Sequence, residues 1–278
     1  MNNELGPIGV FDSGYGGLTV LKELEKSLPE YDYLYLGDNA RTPYGTRSFE
    51  VVYQFTLQAV EYLFSQGCHL VILACNTASA KALRSIQMND LVNLDPSKRV
   101  LGVIRPSTEK IGELSSSKHV GIMATPGTVN SGSYSIELKK FYPDLVVTEY
   151  ACPMWVPLIE NNEHLSTAGR EFIKADLDKV LKKDPNIDLI VLACTHYPLV
   201  KDYLISIAPK SVNIIGQGEI VGKSLKEYLL RHEELEKKCN KSQKITFLTT
   251  ETKVSFEEKA TVFYGKEVVA KQIHIRDF

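Results

Sequence analysis

CHLVILACNTASAKALRSI at residues 68–86 is similar to a second part of the chain, IDLIVLACTHYPLVKDYL at residues 187–204. Each begins with an apolar run typical of a buried strand and continues with residues typical of a helix. The triplet LAC ends both apolar runs and places Cys75 and Cys194 at equivalent points. We interpret the two stretches as copies of one strand–turn–helix unit, so the chain contains an internal repeat.

The remainder of the sequence supports this repeat. Strand-like and helical segments alternate from residue 8, and SKHVGIMATPGTVNSGSYSIELKKF at 117–141 restarts the pattern of the N-terminus. Such alternation predicts parallel sheets covered by helices on both faces. We therefore expect an α/β fold of two pseudo-symmetric lobes, with mainly parallel sheets flanked by helices. Because ligands bind at the carboxyl ends of parallel strands, the cleft between the lobes is the expected active site.

Composition and charge exclude several classes of protein. Of the 278 residues, 44% are hydrophobic and 24% are charged, which is typical of a globular chain and not of a disordered one. The formal net charge of −2 gives no general attraction for nucleic acid or anionic lipid. Apolar runs reach about five or six residues, whereas a membrane span needs about 20. We expect no nucleic-acid partner and no membrane partner.

The cysteine content and the start of the sequence both concern the cellular compartment. Five cysteines, an odd number without a CxxC pair, favour free thiols in a reducing cytoplasm. The first residues, MNNELGPIGVFDSG, contain no basic segment followed by an apolar one, so no signal peptide is expected. These features predict a cytoplasmic protein.

Cys75 and Cys194 are the strongest candidates for catalysis. Each lies between a strand and a helix, where backbone N–H groups and the positive end of the helix dipole favour a thiolate. Two thiols on opposing lobes can remove a proton from one face of a carbon and add one to the other face, which inverts a stereocentre without a cofactor. For a single cysteine, packing at the end of a core strand is the more frequent role. We interpret Cys68, Cys152 and Cys239 as packing or surface residues.

Three glycine-containing turns carry further candidates. FDSGYGG at 11–17 has Asp12 at the end of a strand, where it could orient an ammonium group, assist proton transfer or cap a helix. GDNARTPYG at 37–45 and ATPGT at 124–128 supply hydroxyl groups and tight turns, which are also typical of ordinary loops and caps. His196, close to the second LAC triplet, is a candidate acid or base.

Six motifs, FDSGxGGLTV, GDxxRxPYG, LACNTA, ATxGT, ACPxxVPxxE and LACTHYP, occur in this order. Together they resemble the glutamate racemases of the aspartate/glutamate racemase superfamily, and the resemblance extends from Ile8 to about Ile275. It implies a two-lobed α/β enzyme that interconverts L- and D-glutamate without a cofactor or metal and supplies D-glutamate for bacterial peptidoglycan. L- and D-glutamate are then the expected partners, together with a second copy of the chain in a homodimer.

The resemblance also implies roles for individual residues. Cys75 corresponds to the thiolate that acts on D-glutamate, and Cys194 to the thiolate that acts on L-glutamate. Asp12, Glu160 and His196 correspond to auxiliary acidic and imidazole groups. The implied substrate-binding residues, most of them small and polar, are Asp12, Ser13, Pro43, Tyr44, Gly45, Cys75, Asn76, Thr77, Thr125, Thr128, Thr195 and His196.

The predicted domain division follows from the repeat and the resemblance. Residues 1–100 form the first lobe, residues 101–213 form the second, and residues 214–278 return to the first. Within this last segment, the charged stretch RHEELEKKCNKSQK predicts a solvated helix end and loop, and the two β-rich stretches after it are expected to be extra edge strands. One segment departs from the family pattern: Gly216-Gln217-Gly218 stands where many members have an Asp-Ser or Ser-Ser pair.

Other functions are compatible with the same residues. A racemase of another acidic amino acid, such as aspartate, would differ only in the geometry that reads side-chain length. A thiol hydrolase using Cys194 and His196 leaves Cys75 and the repeat without a role. A non-catalytic amino-acid-binding protein of the periplasm needs a signal peptide. A zinc site formed by Cys75, Cys194 and His196 predicts activity that is sensitive to a chelator, and a disulfide-forming pair is more often close in sequence.

Overall fold

The strands of the protein form two parallel sheets. The computed structural model describes residues 5–275. The strands of this part of the chain are β1 (Ile8–Asp12), β2 (Tyr33–Gly37), β3 (Leu70–Leu73), β4 (Arg99–Gly102), β5 (His119–Ala124), β6 (Val146–Ala151), β7 (Leu189–Ala193), β8 (Asn213–Gly216), β9 (Ile245–Thr249) and β10 (Ala270–Gln272). The larger sheet has the order β10-β9-β2-β1-β3-β4, the smaller has the order β6-β5-β7-β8, and paired strands run parallel.

Helices connect successive strands and cover the sheets. They are α1 (Gly17–Ser27), α2 (Phe49–Ser65), α3 (Asn76–Lys81), α4 (Leu83–Ser85), α5 (Leu91–Leu94), α6 (Ile104–Leu114), α7 (Pro126–Ser131), α8 (Ser133–Phe141), α9 (Trp155–Glu160), α10 (Thr167–Lys183), α11 (Lys201–Ile207), α12 (Gly218–Arg231), α13 (Glu233–Glu236) and α14 (Lys253–Tyr264). None of the helices within residues 5–275 combines the length and the apolar composition that a membrane crossing requires.

The two sheets repeat one topology. The order β2-β1-β3-β4 in the larger sheet matches the order β6-β5-β7-β8 in the smaller one, with the first strand of each repeat paired to the second and the third. The two LAC triplets therefore end β3 and β7, which are equivalent strands. The prediction of an α/β fold with two pseudo-symmetric lobes and parallel sheets is confirmed.

Burial of the central strands explains why their sequences are almost wholly apolar. Every residue of β1 and of β7 is buried, because helices lie on both faces of each sheet. The first helix shows the complementary pattern, in which only one face is apolar. Val20, Leu21, Leu24 and Leu28 are all buried, as their helical spacing predicts.

The C-terminal segment joins the larger sheet. Helix α12 packs closely against α1, where a Cβ atom on Gly222 would lie 2.4 Å from Ser27 Oγ, so a larger residue would push the helices apart. Strand β9 then pairs with β2, and β10 pairs with β9. The prediction of two edge strands is therefore wrong for β9, which lies inside the sheet, while β10 is at the edge. Strand neighbours are set by tertiary packing, which the composition of a strand does not encode.

The predicted domain limits cut through two strands. Residue 100 lies within β4, which continues to Gly102 in the larger sheet, and residue 214 lies within β8, which belongs to the smaller sheet. The chain therefore crosses between sheets a few residues later than expected, and the assignment of whole segments to two domains stays a prediction. Residues 1–4 and 276–278 lie outside the described residues. Residues 1–4 belong to the N-terminal stretch in which no signal peptide is expected.

Candidate active site

One pocket lies at the carboxyl ends of the central strands of both sheets. Ser13 follows β1, Cys75 follows β3, Thr125 follows β5 and Cys194 follows β7, and all four line this pocket. The loops after β2 and β6 complete the wall. The lining residues are Ser13, Thr42, Pro43, Tyr44, Gly45, Thr46, Cys75, Asn76, Thr77, Thr125, Pro126, Cys152, Pro153, Val156, Pro157, Cys194, Thr195 and His196. Each repeat thus contributes equivalent loops to a single cleft.

Cys75 is a protonated thiol held at the start of a helix. It caps α3, where the Ala78 N–H donates to Sγ at 3.4 Å, and the thiol donates to Ser13 Oγ at 3.4 Å. Burial raises the pKa of Cys75 to about 12, and the nearby Asp12 carboxylate adds to this increase, while the contacts with Ser13 and Ala78 oppose it. Burial therefore has a larger effect on the pKa of Cys75 than the start of α3 has, so the thiolate expected at this position is not favoured at neutral pH.

Cys194 has a different set of neighbours. Its Sγ lies 3.9 Å from His196 Nδ1, and His196 Nε2 lies 2.8 Å from Glu160 Oε1 at the end of α9. Burial lowers the pKa of His196, but its hydrogen bonds with Cys194 and Glu160 outweigh this effect and raise the pKa to about 10. The imidazole is therefore a cation at neutral pH. An imidazolium beside a cysteine is a suitable ion-pair partner for a thiolate.

Asp12 lies behind the pocket wall and connects the lobes. Its side chain is fully buried, Oδ2 accepts the Gly14 N–H at 2.9 Å, and Oδ1 accepts the Thr195 hydroxyl at 3.4 Å. Burial raises the pKa of Asp12 above its ordinary value. The His196 cation and these hydrogen bonds lower the pKa, but their effect is smaller. The carboxylate thus joins the glycine turn after β1 to the residue that follows Cys194.

Gly16 allows this close approach of the two lobes. A Cβ atom at this position would lie 2.2 Å from Thr195 Oγ1 and 2.4 Å from His196 Nδ1. Since real side-chain contacts are never this short, any larger residue must displace the imidazole next to Cys194. The glycine turn of FDSGYGG therefore serves packing between lobes at the site.

We expect Gly16→Ala to reduce activity at least tenfold and to destabilise the fold by about 1–3 kcal/mol, because the added methyl group overpacks a buried contact. Enzyme assays and chemical denaturation would measure the two effects. Gly216→Ala is the matched control, since its Cβ would meet only Pro198 Cγ at 3.9 Å. Equal behaviour of the two variants would contradict this explanation.

Hydroxyl groups from both lobes meet on one side of the cleft. Thr77 Oγ1 lies 3.0 Å from Thr125 Oγ1 and 3.4 Å from Thr128 Oγ1, and the latter two are 3.1 Å apart. The loop after β2 is tied to the same region, because the Gly127 N–H donates to the Gly45 carbonyl at 2.8 Å. The cluster therefore fixes the two lobes against each other beside the pocket.

Tyr44 lines the cleft in the loop after β2, and two side chains outside the pocket hold its hydroxyl and the carboxylate that accepts from it. Its hydroxyl donates to Asp38 Oδ2 at 2.5 Å, and Arg41 Nε is 2.7 Å from the same oxygen. Burial raises the pKa of Tyr44 well above its ordinary value, and the Asp38 carboxylate adds to this. The Pro43-Tyr44-Gly45 turn thus presents an uncharged surface that hydrogen bonds hold in place.

The structure brings most of the predicted residues together. Asp12, Thr128 and Glu160 lie behind the wall and act on it through hydrogen bonds, while the other predicted residues line the pocket. The predicted site residues do not include the apolar wall after β6, which contains Val156, Pro157 and Cys152, the last predicted to be a packing or surface residue. The internal repeat could have indicated this wall, because the loop after β6 is equivalent to the loop after β2, which the sequence does identify as a candidate. Within the described residues, no group of three or more histidine, cysteine, aspartate or glutamate side chains is placed to hold a metal ion.

Comparison with known proteins identifies the family to which this chain belongs. Residues 8–216 match the family described as Asp/Glu/Hydantoin racemase, and the chain belongs to this family. Racemases are isomerases, so the protein is an enzyme of that class.

Among its relatives, the glutamate racemase of Ruegeria sp. (strain TM1040) is 38% identical over 271 residues, which cover 94% of this chain and 97% of the relative. Glutamate racemase isoform RacE1 from Bacillus anthracis has a similar structure, with a TM-score of 0.87 at 32% identity and coverage of 97% of both chains. The glutamate racemase of Francisella tularensis subsp. tularensis SCHU S4, solved in complex with D-glutamate, has a TM-score of 0.85 at 31% identity and coverage of 99% of both chains.

Proposed function

We propose that this enzyme interconverts L- and D-glutamate without a cofactor, with Cys75 and Cys194 as its two acid–base groups. The observation that carries the proposal is the position of the two cysteines, which end equivalent strands in the two sheets and line one cleft. The names of the relatives support glutamate as the substrate, and so does the bound D-glutamate in the Francisella structure.

Racemisation needs acid–base groups on both faces of the α-carbon. Starting from L-glutamate, the Cys194 thiolate removes the α-proton, and the electron pair of the broken C–H bond passes to the α-carbon and its carboxylate. The Cys75 thiol then donates its proton to the opposite face, which forms D-glutamate and leaves Cys75 as the thiolate. The reverse reaction exchanges the two roles. A single base would return the proton to the face from which it came.

The unequal neighbours of the two cysteines suit the resting state for L-glutamate. Cys75 is protonated and ready to donate, because burial raises its pKa to about 12. Cys194 faces the His196 imidazolium, which Glu160 supports. After one turnover the negative charge has moved to Cys75, close to Ser13 and the Ala78 N–H. These donors stabilise the charge there, so the reverse reaction can begin.

Short polar side chains are suited to hold the substrate. Ser13, Asn76, Thr77, Thr125 and Thr195 all line the cleft and come from both lobes. A free amino acid offers few contacts, and each buried polar group left without a partner costs about 1–3 kcal/mol. We propose that this set binds the ammonium and carboxylate groups, while the wall containing Tyr44 limits side-chain length.

The experiment that tests this function is solvent exchange in D₂O with purified protein and no added cofactor. We expect glutamate to racemise and the newly formed enantiomer to carry deuterium on the α-carbon before the remaining substrate does, because each enantiomer meets its own exchangeable thiol. Mass spectrometry after chiral separation measures both. Activity that disappears with a chelator would instead favour the zinc alternative.

Substrate specificity is a separate expectation. Aspartate is one methylene shorter, so its side-chain carboxylate cannot reach the same partners while its α-carbon stays between the two thiols. We expect the kcat/KM for aspartate to be at least about tenfold below that for glutamate, since one misplaced methylene is worth about 1–3 kcal/mol. Equal values for the two amino acids would contradict the assignment of glutamate.

A thiol hydrolase is the second candidate, because Cys194, His196 and Glu160 form a chain of contacts like that of a nucleophile, a base and an orienting carboxylate. Such an enzyme would not need Cys75. Hydrolysis of a glutamyl thioester that survives Cys75→Ser and is lost in Cys194→Ser would support it.

The biological setting extends the proposal. D-glutamate produced in this way supplies bacterial peptidoglycan, the enzyme works in the cytoplasm, and two chains form a homodimer. This setting is an extension of the activity for which the relatives are named, glutamate racemase. Sedimentation velocity tests the last point, with the mass of two chains as the expected result.

A further inference from the structure

A buried group of four polar side chains lies behind the Cys75 turn. Asn76 Nδ2 donates to Gln217 Oε1 at 2.7 Å, and the Tyr134 hydroxyl donates to Asn76 Oδ1 at 2.8 Å. Gln217 Nε2 donates to Ser107 Oγ at 2.9 Å and also to the Tyr134 hydroxyl. None of the four residues is more than 4% exposed. We call this group the amide network.

The amide network crosses between the two halves of the site. Asn76 begins α3 directly after Cys75, whereas Tyr134 lies on α8 and Ser107 on α6. Gln217 lies in the short link between β8 and α12, where the chain leaves the smaller sheet. The side chain of Gln217 thus bonds to the residue after one thiol and to helices on the other side of the cleft.

Ser107, at one end of the amide network, determines which atoms donate and which accept in these hydrogen bonds. The Ser107 hydroxyl has a single hydrogen, which it donates to the Val103 carbonyl at 2.7 Å. Ser107 Oγ can therefore only accept from Gln217, which turns the nitrogen of the Gln217 amide toward Ser107 and its oxygen toward Asn76. The Asn76 amide must then present its nitrogen to Gln217 and its oxygen to Tyr134.

We propose that Gln217 is a positioning residue that orients Asn76 for substrate binding. Asn76 lines the cleft, and its Nδ2 carries two hydrogens, of which the bond to Gln217 uses one. The orientation imposed by Gln217 makes the second hydrogen a donor to a carboxylate oxygen of glutamate. This inference rests on the proposed racemisation of glutamate, and it gives a role to the segment that departs from the family motif.

The test is a double-mutant cycle between Gln217→Met, which keeps the volume but removes the amide, and Asn76→Ala. We expect Gln217→Met to raise the KM for both enantiomers about tenfold, the effect of losing one charge-assisted hydrogen bond, with kcat changed less than about threefold. The double variant should have the KM of Asn76→Ala within about twofold, because Gln217 acts only through Asn76. An unchanged KM in Gln217→Met, or effects that multiply in the double variant, would overturn the inference.

Two further variants keep the test decisive. Tyr33→Phe removes a buried hydroxyl that donates to the Leu24 and Leu28 carbonyls at 3.2 and 2.9 Å, at the far end of β2 from the cleft. It should lose stability without a change in KM, which separates positioning from general loosening of the fold. If Gln217→Met does not fold, Ser107→Ala removes the acceptor that fixes the Gln217 amide, and the same rise in KM and the same cycle with Asn76→Ala are expected.

The controls also separate this inference from the function on which it rests. A wild-type protein that does not racemise glutamate contradicts the proposed function. An active wild type with an unaltered KM in the folded variant contradicts only the role of Gln217.

Discussion

Replacement of Cys75 by alanine is expected to reduce the racemisation of glutamate roughly 10⁴-fold in both directions, the upper end of what a positioned acid or base contributes. The same loss is expected for Cys194→Ala, because each thiol serves one face of the α-carbon and neither can do the work of the other. Serine at either position should restore little, since an alkoxide forms far less readily than a thiolate at neutral pH. Circular dichroism of the product mixture measures the rates.

Cys68→Ala is the matched control for these losses. Cys68 is fully buried in the core but lies outside the cleft, so its replacement removes a thiol without touching the site. It should keep activity close to that of the wild type. If either cleft variant retained more than about 1% of wild-type racemisation while staying folded, the two-thiol account would not stand.

Glu160→Gln is expected to lower kcat/KM about 100-fold, the lower end for a group that supports acid–base catalysis. The two directions must fall equally, because the equilibrium constant between enantiomers is one. The physical reason is the charge of His196, whose pKa is raised to about 10 by its hydrogen bonds with Cys194 and Glu160. Without the Glu160 carboxylate, the imidazolium loses its partner and gives up its proton at lower pH.

The pH profile of kcat/KM gives the direct measurement of this effect. A group whose pKa is raised stays protonated through neutral pH, so wild-type activity should hold until the pH rises through about 10 and then fall. In Glu160→Gln the same fall should begin at lower pH. Glu163→Gln, which alters an exposed carboxylate three residues away, should leave the profile unchanged. A basic limb that does not move in Glu160→Gln would contradict the role of the imidazolium.

The sequence predicts the fold well where burial and periodicity coincide. The apolar runs of β1, β3 and β7 are buried on both faces, and the repeat of LAC places the two thiols at equivalent strand ends. The position of β9 inside the larger sheet is different, because which strand pairs with which depends on the packing of α12 and α14 and not on the composition of the strand.

Several properties of the site arise only from three-dimensional neighbours. The apolar wall near Val156 looks like ordinary packing in the sequence, and Gln217 looks only like a departure from a motif. The protonation of Cys75 and His196 also depends on partners that are distant in the chain. Burial close to Asp12 raises the pKa of Cys75, and Glu160 helps to raise that of His196, so the LAC triplet that the two thiols share does not predict their different environments.

Elimination from both enantiomers of 3-chloroglutamate by Cys75→Ser and Cys194→Ser distinguishes the roles of the two thiols. Loss of HCl needs only removal of the α-proton, and the resulting enamine hydrolyses to 2-oxoglutarate and ammonia, which are easily measured. We expect Cys75→Ser, with Cys194 intact, to eliminate from the L-enantiomer alone. Cys194→Ser, with Cys75 intact, should eliminate from the D-enantiomer alone. Loss of both activities in both variants, or elimination without preference for an enantiomer, would contradict two thiols acting from opposite faces.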